Sequence, residues 1–152
     1  MSNSPTIRQP VSADAAAVAG LIGQLGYPAS AAEAAERLLK LAAHAHAATY
    51  VAELDGRVVG VITAHTFPTV HATAPAAWIT TLVVDESCRG RGAGRALVAA
   101  TELWAIAGGS QKISVTSALR RLDAHAFYEA LGYAHSGLRL AKQFHVANEH
   151  TT

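Results

Sequence analysis

The chain has 152 residues, 51% of them apolar and 15% charged, with a formal net charge of +1. That length suits one domain with a single core, the apolar fraction excludes a disordered polymer, and the small net charge disfavours nucleic acid, which requires clustered cations. The lone cysteine, Cys88, excludes an internal disulfide and a thiolate-rich metal site, and no apolar run approaches the ~18 residues of a membrane span. Because the start, Met1-Ser2-Asn3-Ser4-Pro5, has no basic-then-apolar leader pattern, a cytoplasmic chain is expected.

In chain order, Thr6-Ile7-Arg8-Gln9 reads as a first strand ended by Pro10. Ser12 then caps a helix that carries Asp14 in its first turn and runs to about Leu25, where Gly26-Tyr27-Pro28 breaks it. Ser30-Ala31-Ala32-Glu33 has capping-box spacing and opens a second helix, with Leu38, Leu39 and Leu41 as its apolar face. Between these helices Tyr27, Glu33 and Glu36 are candidate contacts for a substrate, although Glu33 is already explained by capping.

Residues 49–54 and 57–63 alternate around Asp55-Gly56, a type I′ turn pair, and so predict a hairpin. Residues 67–75 contain two prolines and read as an irregular surface connection; residues 76–84 form the longest strand. A helix follows over 92–107, ended by Gly108-Gly109, and then a strand over 112–117. This strand–helix–strand order predicts a right-handed crossover with the two strands parallel. Asp123 caps a helix over 124–131, Gly132 ends it, and 133–135 with 138–144 form a closing hairpin around Gly137. From Ala147 the chain reads as a frayed tail, so residues 1–152 make one domain with an ordered core over about 5–146. Trp78 and Trp104 are expected in that core.

The most informative stretch is Leu82-Val83-Val84-Asp85-Glu86-Ser87-Cys88-Arg89-Gly90-Arg91-Gly92-Ala93-Gly94-Arg95. Glycines let backbone N–H groups approach a phosphate closely, arginines pair with its charge, and the next helix presents its positive dipole end. Two common nucleotide loops are excluded. A G-x-G-x-x-G fingerprint begun at Gly90 needs glycine where Arg95 stands, and no acidic residue follows in the second strand. A P-loop needs Gly-Lys followed by Ser or Thr, and the chain has none.

What remains is R-x-x-G-x-G at Arg89, Gly92 and Gly94, after an apolar strand and before a helix. One strand later comes Ala126-Phe127-Tyr128-Glu129-Ala130-Leu131-Gly132-Tyr133, an aromatic pair on a helix closed by glycine and another aromatic residue. In both segments and in element order the chain resembles the GNAT family, the Gcn5-related N-acetyltransferases. The resemblance implies a mixed α/β fold, a twisted sheet flanked by helices, with two parallel strands splayed to admit acetyl-CoA. It implies the pyrophosphate on Arg89, Gly90, Arg91, Gly92, Ala93, Gly94 and Arg95, and the pantetheine arm against Leu82, Val83 and Val84. Tyr128 falls where the family has a tyrosine beside the thioester sulfur, so it is the expected acid for the departing thiolate. Where many members carry Asn seven positions before that tyrosine, this chain has Arg121, and the contact passes to Ser117 or Arg121.

The reaction so implied moves acetyl directly to a primary amine of a small molecule or peptide, with no metal, nucleic acid or membrane involved; a homodimer is expected by resemblance alone. An amine of pKa ~10.4 is neutral in about one molecule in 2,500 at pH 7, so some group must take its proton. His65, His71, His125, Asp85 and Glu86 qualify by type, and spacing does not rank them. Cys88 beside Arg89 reads as a loop residue open to thiol reagents rather than a nucleophile. His44-Ala45-His46 does not make a shared metal site. The regions expected to face the acceptor are not strongly acidic, which weighs against a highly cationic acceptor. A CoA-binding sensor without turnover is the alternative class.

Overall fold

In the computed structural model, residues 4–116, 122–137 and 139–145 are described, and they fall into two compact units divided in sequence between Val115 and Thr116. The first unit holds one five-stranded sheet in the order β1-β2-β3-β4-β5. Its strands are β1 (Thr6–Arg8), β2 (Ala47–Leu54), β3 (Arg57–Thr69), β4 (Ala72–Val84) and β5 (Ile113–Val115). Neighbours are antiparallel except β4 and β5, which run parallel as the crossover requires. Helices α1 (Ala15–Leu25), α2 (Ala31–Ala43) and α3 (Ala93–Ala107) cover it.

Periodicity decides how each helix packs. Helix α1 buries Ala15, Val18, Ala19 and Leu21, which meet Ala34 of α2 and Val51, Val61 and Val83 of the sheet in one cluster. Helix α3 buries Ala93, Leu97, Thr101 and Ala105, spaced by four, together with Val98. The Thr101 hydroxyl donates to the Leu97 carbonyl at 2.9 Å, so its burial leaves no unmet donor. Beneath it, a Cβ on Gly60 would lie 3.0 Å from Leu97 Cδ1, which explains glycine in mid-strand: α3 approaches β3 through the missing side chain.

Several expectations need correction. Ser12 does not cap α1. Instead Ser12–Asp14 is a 3-10 turn, and Asp14 Oδ2 accepts the Val11 N–H at 2.7 Å while binding Arg8. On α2 the apolar face is narrower than expected: Leu38 packs on the core but Leu39 is 72% exposed. The irregular connection over 67–75 is instead the end of a long hairpin, β3 reaching Thr69 and β4 starting at Ala72. Both prolines fall in a register shift between the pairs Phe67↔Ala76 and Thr69↔Ala72, where the ladder already lacks regular hydrogen bonds and a missing N–H costs little. Trp78 and Trp104 are only half-buried, because the interior is filled by aliphatic residues.

The Asp55-Gly56 turn has φ of 53° and 76°, the pair of positive values a type I′ turn demands, and the Ser30/Glu33 capping box forms with both hydrogen bonds. In the second unit α4 spans Leu122–Ala130, so Asp123 lies inside the helix rather than before it. The closing hairpin does not form among the described residues: 133–137 and 139–145 have no strand. Ser117, Arg121, Leu138 and the tail from Ala147 lie outside the described residues.

Candidate active site

The glycine-arginine stretch begins at the end of β4. Asp85 N–H donates to the Val59 carbonyl at 2.7 Å, which continues the β3–β4 register of Gly60↔Val84 by one more residue. The Asp85 carboxylate then accepts from Ser87 N–H and Oγ at 2.9 and 2.8 Å and turns the chain into a 3-10 segment, Glu86–Cys88. Glu86 N–H donates to Gln24 Oε1 at 3.1 Å, which ties the turn to α1. Those Ser87 hydrogen bonds, backbone first, hold the Asp85 carboxyl below its ordinary range and make it a poor proton acceptor.

Cys88 is not open to reagents as the sequence suggested. It is 2% exposed, and Arg57 Nη2 donates toward its Sγ at 3.5 Å, so the thiol anchors the turn from below. The chain then rises through Gly90 (φ 80°) and Gly92 (φ 87°), both left-handed, and enters α3 at Ala93. Gly92 is the N-cap and no side chain caps this helix, so the N–H groups of Ala93, Gly94 and Arg95 have neither an intrahelical acceptor nor a side-chain cap. Arg89, Arg91 and Arg95 are exposed around them, Arg91 Nη2 lying 3.5 Å from Asp55 Oδ2.

Along β4 the second element of the site is a bulge. Thr63 pairs with Thr81 and Ala64 with Ile79, leaving Thr80 unopposed, its hydroxyl donating to the Thr63 carbonyl at 3.3 Å. On the other edge the parallel pairing of β4 with β5 covers Ala77, Trp78 and Ile79 and, among the described residues, stops there. Residues 80–84 thus run on past the bulge, with Val83 buried and Leu82 and Val84 half-buried.

A surface cavity of about 350 Å³ opens at that bulge, lined by Thr80 and Thr81 of β4, Thr63 and His65 of β3, and Arg37 and Lys40 of α2. His65 Nδ1 is buried with no hydrogen-bond partner. Burial, and then the His44 ring at 5.8 Å, push this imidazole below its ordinary pKa, so it is uncharged at neutral pH. Sequence reasoning missed the cavity's cations, naming the carboxylates of α2 instead. Glu33 is engaged with Ser30, and Glu36 pairs with Lys40 at 3.2 Å. A signal was available: Arg37, Lys40 and Leu41 stand three and four apart on one helix face. Tyr27, also expected to face an acceptor, is 66% exposed, and His71 lies exposed in the turn between β3 and β4.

In the second unit, the end of α4 shows why tyrosine, glycine and an aromatic residue occur at this spacing. Tyr133 N–H donates to the Tyr128 carbonyl and Gly132 N–H to that of Glu129, both at 3.0 Å, with Gly132 at φ 94°. This is a Schellman closure, and the Tyr128 and Tyr133 rings meet edge-on at 5.6 Å across it. Phe127 also meets Tyr128 edge-on at 5.2 Å, so the half-buried phenol ring contacts two aromatic neighbours. His125 packs edge-on against His135 at 6.1 Å.

Comparison with known proteins agrees with this arrangement. The profile of the Acetyltransferase (GNAT) family matches residues 22–133. The chain is 33% identical over 137 residues to an aminoglycoside N(6')-acetyltransferase type 1 of Stenotrophomonas maltophilia, covering 88% of each. Among solved structures, a transcriptional regulator from Bacillus halodurans C-125 superposes with a TM-score of 0.83 at 22% identity, over 92% of this chain and 99% of that one. The aminoglycoside N-acetyltransferase AAC(6')-Iy, solved with CoA, gives 0.80 at 21% identity, over 93% and 95%. With the family profile spanning both the glycine-arginine loop and the Tyr128 segment, the chain belongs to the GNAT family of acetyltransferases and is an acyltransferase enzyme.

Proposed function

We propose that the chain transfers acetyl from acetyl-CoA to a primary amine of a small molecule. The observation that carries this is the α3 N-terminus, where three N–H groups follow left-handed glycines with no side-chain cap and three arginines stand around them. That arrangement fits a pyrophosphate, with residues 89–95 holding it. Residues 80–84, which continue past the last β5 pair, would hold the amide-rich arm as an added strand; the resemblance adds Ser117 as a further contact to the same co-substrate. What the bound thioester supplies is an acyl group already activated for attack.

The chain's own residues handle the protons. As the amine N–C bond forms and the C–S bond breaks, the amine loses one proton and the leaving thiolate gains one. His65 is assigned as the proton acceptor, because it is uncharged at neutral pH and lines the cavity at the bulge. Tyr128, with its ring held at the end of α4, is assigned as the proton donor.

The test measures thiol release across an amine panel beside direct acetyl-CoA binding. Tyr128→Phe should retain binding and lose at least ~10-fold in kcat. In the native enzyme the acidic limb of kcat/KM should fall below the ordinary histidine value of about 6.5, and His65→Gln should abolish that limb. Tight acetyl-CoA binding with no transfer to any amine would overturn the proposal in favour of a sensor.

A further inference from the structure

Among the described residues, the side chains that line the cavity at the Thr80 bulge include two cations and a histidine and no carboxylate. Arg37 and Lys40 are 52% and 76% exposed and reach neighbouring Glu33 and Glu36 at 3.8 and 3.2 Å, one helical turn away on α2. Such exposed pairs hold their partners weakly, so either cation can turn to an incoming anion without leaving a buried charge behind. Glu33 is further occupied at the N-terminus of α2, where it accepts the Ser30 N–H at 2.9 Å. Three threonines and Leu41 complete the wall, a surface that offers hydroxyl groups and an apolar edge but nothing to neutralise a second ammonium group.

We propose that the acceptor is a small amine bearing a carboxylate, whose anionic end docks on Arg37 and Lys40 while its amine lies at Thr80. This inference rests on the acetyl-transfer reading, and it narrows it to one charge class. The geometry follows from chain direction. Phosphates held at 89–95 and an arm lying back along 84 to 80 bring the thioester end to the bulge, a path of ~13 Å at strand spacing. Thr80 and Thr81 also line the cavity, so an amine there would meet the acyl carbon while Arg37 and Lys40 take the other end. The transfer itself is unchanged: the N–C bond forms, the C–S bond breaks, and the proton of the amine leaves to His65. A polyamine or aminoglycoside, by contrast, would meet Arg37 and Lys40 on the lining itself, while the neighbouring carboxylates of Glu33 and Glu36 stand outside the lining and are paired with those cations.

Two measurements on the full chain test it. In steady-state kinetics γ-aminobutyrate should exceed its uncharged amide, and also spermidine and neamine, by ~10-fold or more in kcat/KM at low salt. In the Arg37→Gln, Lys40→Gln double variant the acid-to-amide ratio should fall toward one through KM, while Arg37→Lys keeps most of it. In equilibrium binding to the CoA-saturated chain, the N-acetylated acid should bind ~10-fold more tightly than the N-acetylated amide, and the double variant should erase the difference. Equal affinities, or a preference for neamine or spermidine, overturn the inference whatever the turnover. A carboxylate preference in binding with no transfer to any amine supports the charge assignment and overturns the acetyltransferase reading of the site.

Discussion

Asp14 is 7% exposed and carries three hydrogen bonds: two from the Arg8 guanidinium at 2.8 and 3.1 Å and one from Val11 N–H. Arg8 also reaches Glu53 at 3.2 Å, so one arginine joins β1, the turn before α1 and β2. The Arg8 hydrogen bonds, opposed by burial, hold the Asp14 carboxyl below its ordinary range. A carboxyl depressed in the folded state stabilises fully above its unfolded value of about 4, and that stabilisation is lost as pH falls through the lower folded value. Asp14→Asn should therefore cost about 1–3 kcal/mol at pH 7 in urea titrations and flatten the acid limb of the stability curve. An unchanged acid midpoint would remove this role. Nothing in the spacing of Ser12 and Asp14 separates them as caps, since both accept from backbone N–H; the choice is made by Arg8, six residues away and already fixed in β1.

Elements whose local chemistry leaves one solution were legible in the sequence. Asp55-Gly56 accepts two positive φ values, Ser30 and Glu33 satisfy each other's backbone, and the glycine-arginine loop leads into α3. Where several solutions compete, sequence reasoning failed for identifiable reasons. Pro68 and Pro75 look like breakers, but a register shift absorbs both inside the hairpin. The bulge at Thr80 has no local signature, because it exists only relative to the register of β3. The cavity is equally non-local: it joins α2 to two strands and so appears only once α2 is laid on the sheet.

The loop–helix junction gives a prediction at this scale. Gly92→Ala forces a side chain into φ 87°, costing about 1–2 kcal/mol and displacing the first N–H groups of α3; acetyl-CoA affinity should fall ~10-fold or more in calorimetry. Gly20→Ala is the contrast. It lies on the exposed face of α1 with open space around the new Cβ, and should add about 0.5–1 kcal/mol while leaving affinity unchanged.

For the molecule as a whole, the described helices include none long and apolar enough to cross a membrane. Binding at the junction of β4 and α3 should stabilise the fold by mass action. At a hundredfold excess over Kd, acetyl-CoA adds ~2.7 kcal/mol, or about 5–10 °C in Tm for a chain of this size. The same concentration should shift Gly92→Ala much less. An equal shift in both would place binding elsewhere.

The burial of the single thiol has a practical consequence. With Cys88 beneath the loop and beside Arg57, the folded chain offers no accessible thiol to a thiol-reactive dye. A Leu39→Cys substitution, at a position 72% exposed between Arg37 and Lys40 in sequence, would therefore give one defined attachment point on α2. A polarity-sensitive fluorophore there would report ligands entering the cavity in real time, without a second label to remove.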